Sequence, residues 1–395
     1  MQNWFRLTFL LAAVVGAAPA QVRNVGPIVV DYDGKIIPIR VSANVPELNK
    51  LALVAFGAHG RYSLVANRFA YDVRFTQTAA TQVRFDITRG GSATPVAAEL
   101  VSGNTPRHAL LRAADRVVDL TNAAGLRGFF SARLAFIAER TGRKEVYVSD
   151  LFMGEAKQVT RDNALALTPR WSPDGTRIVY TSYFRSGFPD IFQLNLATNQ
   201  RTTFVSFRGT NTGAHFSPSG QQVAMILTGE GTPEVYVSNA QGRQVSRKTR
   251  SAAVKSSPCW SPDGGRLVFA MEPGPQLYLM SANGGVPSRL PTGYSYSAEP
   301  DWSHARPNRI ACTVRIPGGR FQIAVYDTMA RRAEVVSQAP YDGQVPSWLA
   351  DGRHLVYTRR DRTSSVLHLL DTETGKSTAI SPRAWRAMEA NVWNP

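Results

Sequence analysis

Six histidines, at positions 59, 108, 215, 304, 354 and 368, and two cysteines, Cys259 and Cys312, are the side chains best suited to metal or nucleophilic chemistry. Their spacing does not assemble it. No His-Glu-x-x-His pair places two imidazoles one helical turn apart, and no Gly-x-Ser-x-Gly elbow presents a serine nucleophile. Gly375-Lys376-Ser377 resembles the end of a phosphate-binding loop, but Leu370 stands where the first glycine belongs. A strand rather than a helix is expected after it, so the backbone N–H cradle is missing and a hairpin turn is expected. Asp31-Tyr32-Asp33-Gly34 opens like a calcium loop without the closing glutamate, and also reads as a turn. Cys259 and Cys312 are expected as two buried thiols, although an oxidising compartment would permit them to pair. His215, beside an aromatic anchor, is expected as a packed or solvated side chain near a central channel. No catalytic residue, cofactor or metal site is assigned.

The elements that hold these residues follow from a repeat. Trp171-Ser172-Pro173-Asp174-Gly175, Phe216-Ser217-Pro218-Ser219-Gly220 and Trp260-Ser261-Pro262-Asp263-Gly264 are copies of one turn. Trp302-Ser303-His304, Trp348-Leu349-Ala350-Asp351-Gly352 and Trp393-Asn394-Pro395 continue it. The aromatic anchors are spaced 45, 44, 42, 46 and 45 residues apart. After each turn comes a β-rich run such as Arg177 to Tyr180, then a second such as Ile191 to Leu194, then a more polar strand. Four strands per unit, six times over, predict a six-bladed β-propeller across residues 131–395. The unit starting at Arg133 lacks its aromatic strand, and Ala390 to Trp393 is a strand with no unit to follow. The two should pair and close the ring, removing an exposed sheet edge. The Asp-Gly pairs are turn residues and the aromatics inter-blade packing, not a ring of acids or ligands.

Ahead of the repeat, residues 1–20 read as a signal peptide: Arg6, an apolar run from Leu7, and Ala18-Pro19-Ala20 before Gln21. Its apolar stretch is too short to span a bilayer, and no later one is long enough. Export to the periplasm is expected. Residues 21–130 read as a small α/β domain. A hairpin is expected from Val25–Val30 and Lys35–Val41, with strands near Leu51–Phe56, Ala70–Phe75 and Thr81–Ile87. A helix is expected from Pro106 to Thr121, capped by Thr105, with Leu110, Ala114, Val117 and Thr121 on one face.

The formal net charge is +16. Its excess is spread over both regions, and no nucleic-acid-reading motif accompanies it, so an anionic protein, lipopolysaccharide or cell-wall polymer is the expected partner. One end of the propeller should gather Arg140, Arg143, Lys144, Arg185, Arg208, Arg250, Lys255, Arg320, Arg359, Arg360 and Arg362, with Tyr183, Phe184, Tyr294, Tyr296 and Tyr341 among them. Arginine with aromatics is the composition of protein-binding surfaces.

The junction from Arg107 to Ile137 is the most distinctive stretch. It carries Ala113-Ala114-Asp115-Arg116-Val117, Leu120-Thr121, Gly125-Leu126-Arg127-Gly128-Phe129 and Ala132-Arg133-Leu134-Ala135-Phe136. Together with the leader and the six repeats it resembles the TolB-like propeller family of the Tol-Pal system. The resemblance implies a non-enzymatic, monomeric periplasmic scaffold that binds the lipoprotein Pal at the propeller face. It implies TolA binding through the mature N-terminal segment, here Gln21, Val22, Arg23 and Val25 within residues 21–30. By position, the Pal-facing loops would include Thr210, Asn211, Thr212, Ser297, Ala298 and Glu299, with Arg320, Arg359 and Arg360 on the rim. Outer-membrane integrity and constriction at division are the implied roles. The alternative is a propeller enzyme (lyase or hydrolase), or a binding module, acting on anionic polysaccharide.

Overall fold

The computed structural model describes residues 36–121 and 127–394. The expected leader, Gln21 to Val25, Asp31-Tyr32-Asp33-Gly34 and the first arm of the expected hairpin lie outside them.

The N-terminal region is a five-stranded sheet carrying two helices. Its elements are β1 (Ile37–Ala43), α1 (Pro46–Ala58), β2 (Tyr62–Leu64), β3 (Tyr71–Ala79), β4 (Gln82–Arg89), β5 (Ala97–Ser102) and α2 (Pro106–Thr121), with sheet order β2-β1-β3-β4-β5. β1 pairs in parallel with β2 on one edge and β3 on the other, so the expected second hairpin arm is a central strand instead. The strand expected near Leu51–Phe56 is helical, inside α1. Leu48, Leu51, Ala52, Ala55 and Phe56 are buried at helical spacing, while Leu53 and Val54 face outward. A continuous apolar run hides that period, and the parallel return to β2 requires a crossover. α2 matches its expected bounds, with the Thr105 hydroxyl accepting from the His108 amide at 3.0 Å as the N-cap.

Six four-stranded antiparallel sheets follow. Blade 2, for example, runs Ala166–Trp171, Arg177–Ser182, Asp190–Asn195 and Gln200–Val205. The turns behave as their composition requires: Gly175 has φ +66°, and the Ser172 hydroxyl donates to Asp174 at 2.5 Å. Blade 1 is completed by the strand Met388–Trp393, which pairs with Arg133–Ala138. Its anchor is displaced by one residue. Trp171 pairs with Ile178 and Trp348 with Leu355, but the matching Leu134 pairs with Val392, so Trp393 sits one place beyond the ring of anchors. It packs on Trp171 at 5.7 Å and donates its indole N–H to the Pro173 carbonyl at 2.9 Å.

One feature of the ring has no signature in composition. Each first strand breaks register at a left-handed residue: Thr168, Gly213, Ser257, Glu299, Val345 and Glu389, with φ between +48° and +66°. Five are not glycine, so the bulge is held by its neighbours. Across the closing seam, Glu389 accepts from the Thr168 amide at 2.7 Å and Asn391 from the Trp171 amide at 2.9 Å, while Asn391 Nδ2 donates to Ser347 at 3.3 Å. Asn391 thus ties blades 6, 1 and 2. Asn391→Ala should lower stability by about 2 kcal/mol, because it strands a buried Trp171 amide. A urea midpoint within error of the parent would remove Asn391 from the seam.

The N-terminal region packs on the propeller end that carries the Asp-Gly turns. Arg107 pairs with Asp150 at 2.9 Å, and Lys376, in the turn that mimics a phosphate loop, donates to the Gly57 carbonyl at 2.6 Å. Between blade 6 and α1 lies a buried cluster: His354 points Nε2 at the His59 carbonyl (2.8 Å) and Nδ1 at Asp351 (2.5 Å), beside the Arg353–Asp371 ion pair at 2.5 Å.

Candidate partner-binding face

In an antiparallel blade the loop between the second and third strands and the link into the next blade emerge at the same end. Here that end is opposite the N-terminal region. Backbone bonds knit its loops together: the Tyr183 amide to the Leu165 carbonyl at 3.1 Å, and the Asn211 amide to the Pro189 carbonyl at 2.9 Å.

Arg140, Arg143, Arg185, Arg208, Arg250, Arg320, Arg360 and Arg362 are exposed there. Arg359 is half-buried with its guanidinium 5.7 Å from the Tyr341 ring, and Arg320 donates to the Pro340 carbonyl at 3.0 Å. Lys255 is not a rim residue. It is buried, 2.8 Å from Glu234, and also donates to Ser251. A cation inside the β-sandwiching blades persists only with such a partner, and a lone Lys before a strand gave no hint of the Glu234 opposite.

The acids of this end are mostly spent inside it, Glu272 being exposed. Asp162 is buried against Arg201 and accepts from Tyr180 and Ser182. Glu139 pairs with Arg386 at 3.0 Å and Asp361 with Arg383 at 2.7 Å, while Glu230 meets Arg247. Asp342 accepts from the Phe321 amide at 3.0 Å. The outward field is therefore positive, and that pairing is invisible in a sequence count.

The loop residues expected from the resemblance divide into two kinds. Thr210 and Thr212 are half-buried, whereas Asn211, Ser297 and Ala298 are buried. Asn211 clamps its loop, accepting from the Phe207 amide at 3.0 Å and donating to the Phe207 carbonyl at 2.8 Å. Glu299 accepts from Thr313 at 2.6 Å and the Val345 amide at 3.0 Å, and burial raises its carboxyl above the usual range. These three positions and Glu299 are held inside the fold, whereas Arg320 and Arg360 are exposed and Arg359 is half-buried.

At the other mouth of the channel, His215, Cys259, Asp301, His304, Ser347 and Asn391 line a cavity of about 280 Å³. His215 Nδ1 donates to the Pro258 carbonyl at 3.2 Å, and burial pushes the ring down to about 3, which keeps it neutral. Cys259 and Cys312 are both free and buried, and burial pushes the Cys312 thiol up to about 12. Neither is poised as a thiolate nucleophile.

A family model described as the TolB beta propeller domain matches residues 120–395. The chain belongs to the TolB β-propeller family. The Tol-Pal system protein TolB of Bordetella pertussis is 31% identical over 175 residues, 44% of this chain and 39% of that protein, and that of Bordetella bronchiseptica matches equally. The aligned part thus spans well under half the length of these TolB relatives. The solved TolB of Acinetobacter baumannii superposes with a TM-score of 0.79 at 22% identity, covering 91% of this chain and 96% of that one. That likeness carries the fold of both the N-terminal region and the TolB propeller. No helix among the described residues is long and apolar enough to cross a membrane.

Proposed function

We propose that this chain is a non-enzymatic periplasmic scaffold of a Tol-Pal system, exported through its leader. It binds Pal at the arginine-bearing end of the propeller and TolA through the segment beginning Gln21-Val22-Arg23 and including Val25. By this reading it serves outer-membrane integrity and constriction during division. The observation that supports it best is the positive, carboxylate-poor loop end, left uncovered by the N-terminal region in a chain of the TolB family. Family membership supports this class of partner, and the exposed arginines supply the chemistry that would meet an acidic surface.

The test is calorimetric titration of the protein with the soluble domain of the same organism's Pal at two salt concentrations. One-to-one binding is expected, weakened about tenfold by joint replacement of Arg359 and Arg360 with alanine, with a smaller salt dependence. Absence of binding at high micromolar concentration would reject the assignment. Unchanged affinity in the double variant would move the contact away from blade 6.

A further inference from the structure

We propose that the loop tips of blades 2 and 3 form a docking patch for an anionic phospholipid surface. Three neighbouring loops, residues 160–165, 183–189 and 206–210, present Leu165, Phe184, Phe188 and Phe207 to solvent; Phe188 is 66% exposed and Phe207 51%. Arg161, Arg185 and Arg208 stand exposed among them. The loops are held as a unit, by the Tyr183–Leu165 backbone bond and by Arg185 donating to Ser206 at 3.3 Å.

Two features favour a lipid surface over a protein. The aromatics protrude as tips, whereas a protein hot spot is a packed pocket that excludes water. The charge is of one sign: the carboxylates of these loops and their strand ends, Asp162 and Asp190, are buried, and Asp162 is paired with Arg201. The adjacent Glu230 is paired with Arg247. Apolar side chains that enter the acyl boundary, with arginines level with the phosphates, are the composition of interfacial binding. Phe184 is further stiffened by the Arg201 guanidinium, 3.8 Å from its ring centre. The inference does not depend on Pal recognition.

Co-sedimentation of the purified protein with vesicles of phosphatidylethanolamine and phosphatidylglycerol at about 3:1 tests it, with phosphatidylcholine vesicles as the neutral arm. Binding is expected to the first and not the second, and to fall as salt rises. Joint replacement F188S and F207S should reduce partitioning about tenfold or more, and R161Q with R208Q about thirtyfold. All four side chains are exposed, so the thermal midpoint should hold, which checks the fold. Lack of binding to the anionic vesicles at low salt, equal binding to phosphatidylcholine, or full binding by both variants would overturn the proposal. So would loss of Pal binding in these variants without any vesicle binding, which would assign the patch to a protein.

Discussion

Replacing Asp115 with alanine should destabilise the protein by about 3–5 kcal/mol, the largest effect expected of any single polar side chain here. Asp115 lies on α2, and its carboxylate accepts from three successive backbone amides, Phe129 (3.0 Å), Phe130 (2.8 Å) and Ser131 (2.9 Å), and from the Ser131 hydroxyl at 2.5 Å. Those residues lead from the N-terminal region into the first propeller strand, and Phe129 and Phe130 are fully buried. Burial raises the carboxyl above its usual range, opposed by these four donors. Alanine removes the acceptor and leaves the donors of buried Phe129, Phe130 and Ser131 unmet, and each such group costs about 1–3 kcal/mol. Asn keeps one acceptor oxygen and should lose roughly half as much. Urea unfolding of both variants decides it; a loss under about 1 kcal/mol for the alanine variant would show that the linker is held by apolar packing alone.

The second large effect is a pH dependence located at His59. The ring is fully buried between Tyr62, Phe129 and Phe130 from its own side and His354 from the propeller, and neither ring nitrogen has a hydrogen-bond partner. Asp351, Arg353 and Asp371 complete the charged groups around it. Burial first, and His354 second, hold its pKa well below 6.5. A base depressed in the folded state contributes stability that is whole above its unfolded pKa and is lost as pH falls below it. His59 alone should therefore lower stability by about 1.4 kcal/mol per unit as pH falls below about 6.5, and His215 and His368, which burial holds at about 3 and about 4, add to the same fall. Asp351 and Asp371, each lowered to about 2, lose stability in the same direction but only in stronger acid. Their stabilisation is intact above about pH 4 and disappears as pH falls towards 2, so the two windows separate. His59→Phe keeps an aromatic ring in the site and should reduce the slope between about pH 6.5 and 4.5 by about 1.4 kcal/mol per unit, leaving the part due to His215 and His368. A variant whose urea midpoints follow the parent through that interval would show that another group binds the proton.

What could be read from the residues was what repeats. The blade count, the Asp-Gly turns, the closure of the ring and α2 with its Thr105 cap all rest on spacing or on local backbone preference, and spacing survives in a linear text. The α1 segment did not declare itself because Leu51-Ala52-Leu53-Val54-Ala55-Phe56 is apolar without interruption. The one-place displacement of Trp393 is equally hidden, since an aromatic at nearly the right interval looks like an anchor until its strand register is known. For the binding face, the arginines were legible and the fate of the carboxylates was not. Asp162 pairs with Arg201, and Lys255 with Glu234, across distances in the chain that no local pattern encodes. Asp115 stood inside the junction motif by which the family resemblance was drawn, yet its role as acceptor for the Phe129–Ser131 backbone belongs to the fold.

The seam in blade 1 also sets a clock. Strand Met388–Trp393 arrives about 250 residues after its partner Arg133–Ala138, so the pairing closes one of the longest loops in the chain. Blades 2 to 6 can each form from contiguous sequence as it is delivered, but blade 1 must wait with an unsatisfied inner edge. The pairing that must come last along the chain is thus also the one that fixes Trp171, through Asn391 and Trp393. A protein assembled in this order commits to its final shape in a single late event, and its vulnerability to proteolysis and mispairing is concentrated in the interval before it.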